Sequence, residues 1–152
     1  MQVDIFLFTS SRAPSVSTGR YEYVLFCRGQ ALADGGETGP ITGHRLALTC
    51  AGAALKRMTK PAEITIHTDC RYLINGLTQL RTWKGLDWTK PGGAPLKNAD
   101  LWKQLADLTA EHEIKGEYCP TLNAKKWDIK MDLLHGKLPC KYENEQKQTK
   151  NE

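Results

Sequence analysis

The spacing of apolar residues first turns from strand-like to helical at Thr42, and that change limits the fold more than any single motif does. Before it, apolar and polar residues alternate in short runs. Gln2 to Thr9 alternates and meets Ser10-Ser11-Arg12-Ala13-Pro14, which reads as a strand ending in a polar turn. Tyr21 to Cys27 is β-rich, follows Thr18-Gly19 and is closed by Gly29, which predicts a hairpin into the segment around Ala31 to Ala33. Asp34-Gly35-Gly36 reads as the next turn. The first forty residues are therefore expected to form an antiparallel meander.

From Thr42 to Met58 the period is helical. Leu46, Cys50, Ala53, Ala54 and Met58 share a stripe that ends before Pro61, which predicts a helix from Thr42 to Met58. Glu63 to Asp69 reads as a buried strand, and Arg71 to Leu80 as a helix with Leu73, Ile74, Leu77 and Leu80 inward. A polar, Trp-bearing stretch from Arg81 to Pro95 follows. Asn98 is expected to cap a helix reaching about Glu111, Ile114 to Cys119 is a short strand, and a last helix runs from about Ala124 to His135 with Trp127, Met131 and Leu134 inward. A meander joined to βα units predicts an α/β domain: a five-stranded mixed sheet with helices on both faces.

Composition narrows the class. The chain has 152 residues, 40% of them apolar, which suits one domain with a real core. The domain is expected to span residues 1–138, with 139–152 as a charged, disordered tail. No apolar run approaches the roughly 20 residues of a membrane span, and the first apolar stretch reads as a strand rather than a signal peptide. Five cysteines, an odd number with no CxxC, suit free thiols in a reducing, cytoplasmic compartment. His135 and Cys140 are too few for a zinc site. The net charge of +4 permits a polyanionic partner without requiring one.

The central block is more specific. Thr68-Asp69-Cys70-Arg71-Tyr72, then Ile74-Asn75-Gly76-Leu77-Thr78-Gln79, Trp83-Lys84, Trp88, Leu96-Lys97-Asn98-Ala99-Asp100-Leu101-Trp102 and His112-Glu113-Ile114-Lys115 resemble ribonuclease H of the bacterial type, including its basic protrusion. The resemblance is densest from 62 to 118 and continues in register toward both ends. It implies a ribonuclease H-like fold and cleavage of RNA in RNA–DNA hybrids by two divalent ions held by four acidic residues.

Carried over position by position, the resemblance puts Asp69 on the fourth-strand ligand and Asp128 on the last-helix ligand, so these two are the candidate catalytic and metal residues. Asp132, one turn on, shares the face of Asp128. Ser10 stands where the first-strand aspartate belongs, and Ala47 where the first-helix glutamate belongs. Cys119-Pro120-Thr121-Leu122-Asn123 replaces a histidine-bearing loop. Two carboxylates for two ions predict hydrolysis that is absent or very weak, with Mg²⁺ or Mn²⁺ as the ion if any activity remains. His67 alternates onto the face of Asp69; it is either a further donor for a softer ion or a histidine packed in the sheet.

The basic block is retained. Arg81, Lys84, Lys90 and Lys97 are candidate phosphate contacts, with Trp83 and Trp88 either stacking on nucleic acid or anchoring the protrusion. Arg71 follows Asp69 at a position facing the family's groove, where a cation suits phosphate better than base edges. Thr42, Gly43 and His44 occupy the loop that meets the minor groove, without the family's paired asparagines. Three readings remain: a catalytically impaired domain binding hybrid or duplex nucleic acid, an active ribonuclease H with a rebuilt metal site, and a protein-interaction scaffold.

Overall fold

The computed structural model describes residues 1–10 and 18–139. The turn expected at Ser11 to Pro14 and nearly all of the expected tail lie outside the described residues. Ten elements follow in chain order: β1 (Gln2–Thr9), β2 (Gly19–Cys27), β3 (Gln30–Thr38), α1 (Gly43–Leu55), β4 (Glu63–Thr68), α2 (Arg71–Leu77), α3 (Leu80–Gly85), α4 (Ala99–Thr109), β5 (Glu113–Tyr118) and α5 (Lys126–Leu134). The strands form one sheet in the order β3-β2-β1-β4-β5. The meander pairs antiparallel, and β4 joins both β1 and β5 in parallel. This is the mixed sheet the sequence predicts.

The β2–β3 hairpin turns through Arg28 and Gly29, both at positive φ (51° and 77°), in the two-residue geometry whose twist matches the flanking strands. The strand β3 then continues where a turn was expected. Asp34, Gly35 and Gly36 pair with Tyr23, Glu22 and Tyr21, because the Tyr21 side chain lies across Gly36. A Cβ on Gly36 would sit 2.6 Å from the Tyr21 hydroxyl, so these glycines serve close cross-strand packing.

Helices cover both faces. Ile5, Leu7, Ile64 and Ile66 pack with Ala47, Leu48, Cys50 and Ala54 of α1 and with Leu73, Trp102 and Leu105. Phe6, Phe8, Val24 and Phe26 pack on the opposite face with Cys119, Leu122, Ile129 and Leu133. The helix expected from Arg71 to Leu80 ends at Leu77 and restarts as α3 at Leu80. Gly76, buried against Trp102, allows the close approach: an added Cβ would lie 2.0 Å from that ring.

Two helix ends also differ from expectation. Thr42 caps α1, its Oγ1 accepting from the Arg45 N–H at 3.3 Å. Asn98 precedes α4 but makes no side-chain cap. It adopts φ 61° and donates instead to the Tyr72 hydroxyl at 2.9 Å, while its Oδ1 accepts from Arg45 at 3.2 Å. The face of α5 is the larger correction. Ile129 and Leu133 are its buried residues, whereas Trp127, Met131 and Leu134 are 71%, 39% and 57% exposed.

Candidate active site and nucleic-acid interface

The parallel pair β1 and β4 ends side by side, and the residues that follow them meet the N-terminal end of α5. Asp69 comes directly after β4 and is buried, 5% exposed. Its Oδ2 accepts a 2.6 Å hydrogen bond from the Asn123 amide in the loop before α5. The Thr68 hydroxyl accepts from the Cys70 N–H at 3.1 Å, and the Thr68 carbonyl accepts from the Cys119 N–H at 2.8 Å. These contacts fix Asp69 between strand and helix. Burial also pushes the neighbouring Cys119 thiol up.

The other positions that the resemblance assigns to ligands do not bring carboxylates to Asp69. Ser10 extends the β1–β2 ladder by one residue. Its N–H donates to the Arg20 carbonyl at 2.9 Å and its Oγ accepts from the Arg20 N–H at 3.0 Å. Ala47 is buried in α1 and offers a methyl group. Asp128 lies in the first turn of α5 on its exposed side, away from the stripe of Ile129 and Leu133 that faces the sheet. Among the described residues no group of three His, Cys, Asp or Glu side chains is placed to hold a metal ion. Hard divalent ions need several oxygen donors, so these residues do not fit the two-ion arrangement.

His67 packs in the sheet. It stacks on Phe6 at 4.1 Å and places Nε2 2.8 Å from Asp4 Oδ1, so the strand-packing alternative is the one realised.

Near Ser10 the charges are mixed: Arg20 and Lys126 stand beside Glu22 and Glu37. Lys126 and Lys130, one turn apart on α5, both reach Glu22 of β2, Lys126 at 3.1 Å. Burial would raise the Glu22 pKa, but the hydrogen bonds from Lys130 and Lys126 outweigh it and hold the carboxyl below its usual range. The lysine spacing is legible in sequence; the partner strand is not. Asn123, Glu22 and Tyr118 are therefore site neighbours that sequence reading missed.

The protrusion is built as a scaffold with charges outside. Trp83 packs on the buried Trp102, ring centroids 5.2 Å apart, and Trp88 is half-buried against the same core. Its backbone returns through hydrogen bonds between Trp88 and both Trp83 and Leu96. Arg81, Lys84, Lys90 and Lys97 are all exposed. The tryptophans thus anchor the segment that displays the cations. Arg71, also exposed, lies with its guanidinium 4.2 Å from the centre of the Tyr118 ring.

Comparison with known proteins decides the family. The ribonuclease H family model matches residues 3–131. This chain belongs to the ribonuclease H family. The ribonuclease H of Granulibacter bethesdensis is 35% identical over 102 residues, 66% of this chain and 68% of that protein. The ribonuclease H of Paracoccus denitrificans is 41% identical over 85 residues, 55% of this chain and 54% of its own length. Among solved structures, LC11-RNase H1 in complex with an RNA/DNA hybrid superimposes with a TM-score of 0.55 at 12% identity, covering 78% of this chain and 85% of that one. The ribonuclease H fold read from the central block is thus the fold observed, and no helix among the described residues is long and apolar enough to cross a membrane.

Proposed function

We propose that this ribonuclease H-family domain, spanning residues 1–138, binds nucleic acid, as RNA–DNA hybrid or duplex, with hydrolysis absent or very weak. One observation carries the reading. Of the family's four acidic positions, Ser10 and Ala47 hold no carboxylate, Asp128 is exposed, and Asp69 alone is buried and tied to Asn123. Two-ion catalysis needs both ions positioned to activate water and stabilise the leaving oxygen, and a depleted donor set weakens both roles. Binding draws on a different part of the molecule. The exposed Arg81, Lys84, Lys90 and Lys97 supply salt-dependent attraction to phosphates, on a protrusion held rigid by Trp83 and Trp102. The hybrid bound to LC11-RNase H1, a protein of the same fold, supports this class of partner.

A second reading, an active ribonuclease H that uses Mg²⁺ or Mn²⁺ at Asp69 and Asp128, is favoured by the relatives that carry that activity in their name. End-labelled RNA–DNA hybrid incubated in Mg²⁺ and in Mn²⁺, with Asp69→Asn alongside, separates the two. The binding reading expects intact hybrid with both proteins and a salt-sensitive complex. Cleavage by wild type that Asp69→Asn abolishes establishes the active enzyme instead. A protein-interaction scaffold expects neither cleavage nor a complex.

A further inference from the structure

The cleft over Asp69 has a volume of about 390 Å³ and is walled by two planar pairs. On one side the exposed His44 ring stacks on Tyr72, centroids 4.1 Å apart and 4° from parallel. Tyr72 is itself fixed: its hydroxyl accepts from Asn98 at 2.9 Å and from the Trp102 indole at 3.3 Å. Asn98 is held in turn by Arg45, whose hydrogen bond keeps Asp100 below the usual carboxylate range. On the other side the exposed Arg71 guanidinium lies over the Tyr118 ring. The first pair is a flat platform backed by hydrogen bonds to Tyr72; the second sets a guanidinium over a half-buried ring.

We propose that this cleft is a site for unpaired nucleobases, so that the domain grips single-stranded nucleic acid between the His44–Tyr72 and Arg71–Tyr118 platforms. The inference rests on the nucleic-acid-binding reading above and adds a ligand to it, the unpaired strand. In a duplex each base face is covered by its neighbours, whereas an unpaired base offers its full face to an aromatic ring or a guanidinium plane. The floor is the buried Asp69, whose Oδ2 is held by the Asn123 amide; an acidic floor disfavours phosphate, which is left outside the cleft. Neither platform depends on a divalent ion, so the binding persists in EDTA.

The test uses fluorescence anisotropy in EDTA with three labelled probes of equal length: a single-stranded DNA, an abasic strand with the same phosphates, and an RNA–DNA hybrid. Stacking is worth roughly 1–3 kcal/mol per base, so the single strand should bind about fivefold or more tighter than the abasic strand. Arg71→Lys keeps the charge and loses the plane, and His44→Ala removes the other platform. Each should weaken single-strand binding by about fivefold or more while leaving the abasic strand unchanged. Both side chains are exposed, and circular dichroism melting of the variants checks that the fold is intact. Equal binding of the abasic and normal strands, or both variants binding the single strand as wild type does, overturns the cleft site and leaves binding by the protrusion standing. Failure of all three probes to bind removes the nucleic-acid reading and this site with it.

Discussion

At the scale of single residues, Asp69 is held by its amide neighbour rather than by other carboxylates. A buried charged oxygen that loses its donor keeps its desolvation cost, so Asn123→Ala should lower stability by about 1.5–3 kcal/mol, read as a lower urea midpoint at unchanged slope. An unaltered midpoint would mean that the 2.6 Å hydrogen bond contributes nothing net. The same residue-scale view explains Gly76. Its missing side chain is what lets α2 lie against Trp102. Ser10 and Ala47 are likewise legible in residue type alone: a hydroxyl and a methyl cannot become carboxylates in any conformation, whatever surrounds them.

The element with most at stake is α5. Its nine residues place apolar side chains at nearly every angle, Trp127, Ile129, Met131, Leu133 and Leu134, so periodicity alone does not select the buried face. The sheet selects Ile129 and Leu133, which meet Phe6, Phe8 and Val24. Leu133→Ala should therefore cost about 2–5 kcal/mol in chemical denaturation, and Trp127→Ala should stay within about 0.5 kcal/mol of wild type. The reverse ranking would place the sequence-predicted face inward after all. The helix is also clamped electrostatically to β2 by Lys126, Lys130 and Glu22. The folded pKa of Glu22 is lowered from 4.5, so its contribution is present above pH 4.5 and is lost as pH falls through the lowered folded value. Glu22→Gln should thus be less stable than wild type near neutrality and converge with it in acid. Parallel stability curves at all pH values would contradict that clamp.

Across the whole molecule, one face of the sheet carries α1 to α4 and the other α5, while the basic protrusion stands on the first of these layers. Its cations project from a Trp-anchored scaffold, so charge and stability are separable there. Lys84→Glu should weaken hybrid binding, reduce the salt dependence by roughly one phosphate contact or more, and leave the melting temperature unchanged, all from titrations at several salt concentrations. Salt slopes that match wild type would remove Lys84 from the interface.

The amino-acid sequence by itself determined the order of the elements, the mixed sheet, the position of Asp69 at a strand end and the absence of a carboxylate from Ser10 and Ala47. Those features are written in local period and residue type, which survive without knowledge of neighbours. Only the tertiary structure decided that β3 runs through Asp34-Gly35-Gly36, that Asn98 turns from capping α4 to holding Tyr72, that α5 buries Ile129 and exposes Asp128, and that His44 and Arg71 each find a ring. Each of these depends on a partner from another part of the chain, Tyr21, Arg45, the β1–β2 surface, Tyr72 or Tyr118. A short helix or a glycine pair has several locally equivalent arrangements, and packing against such a distant partner is what selects one.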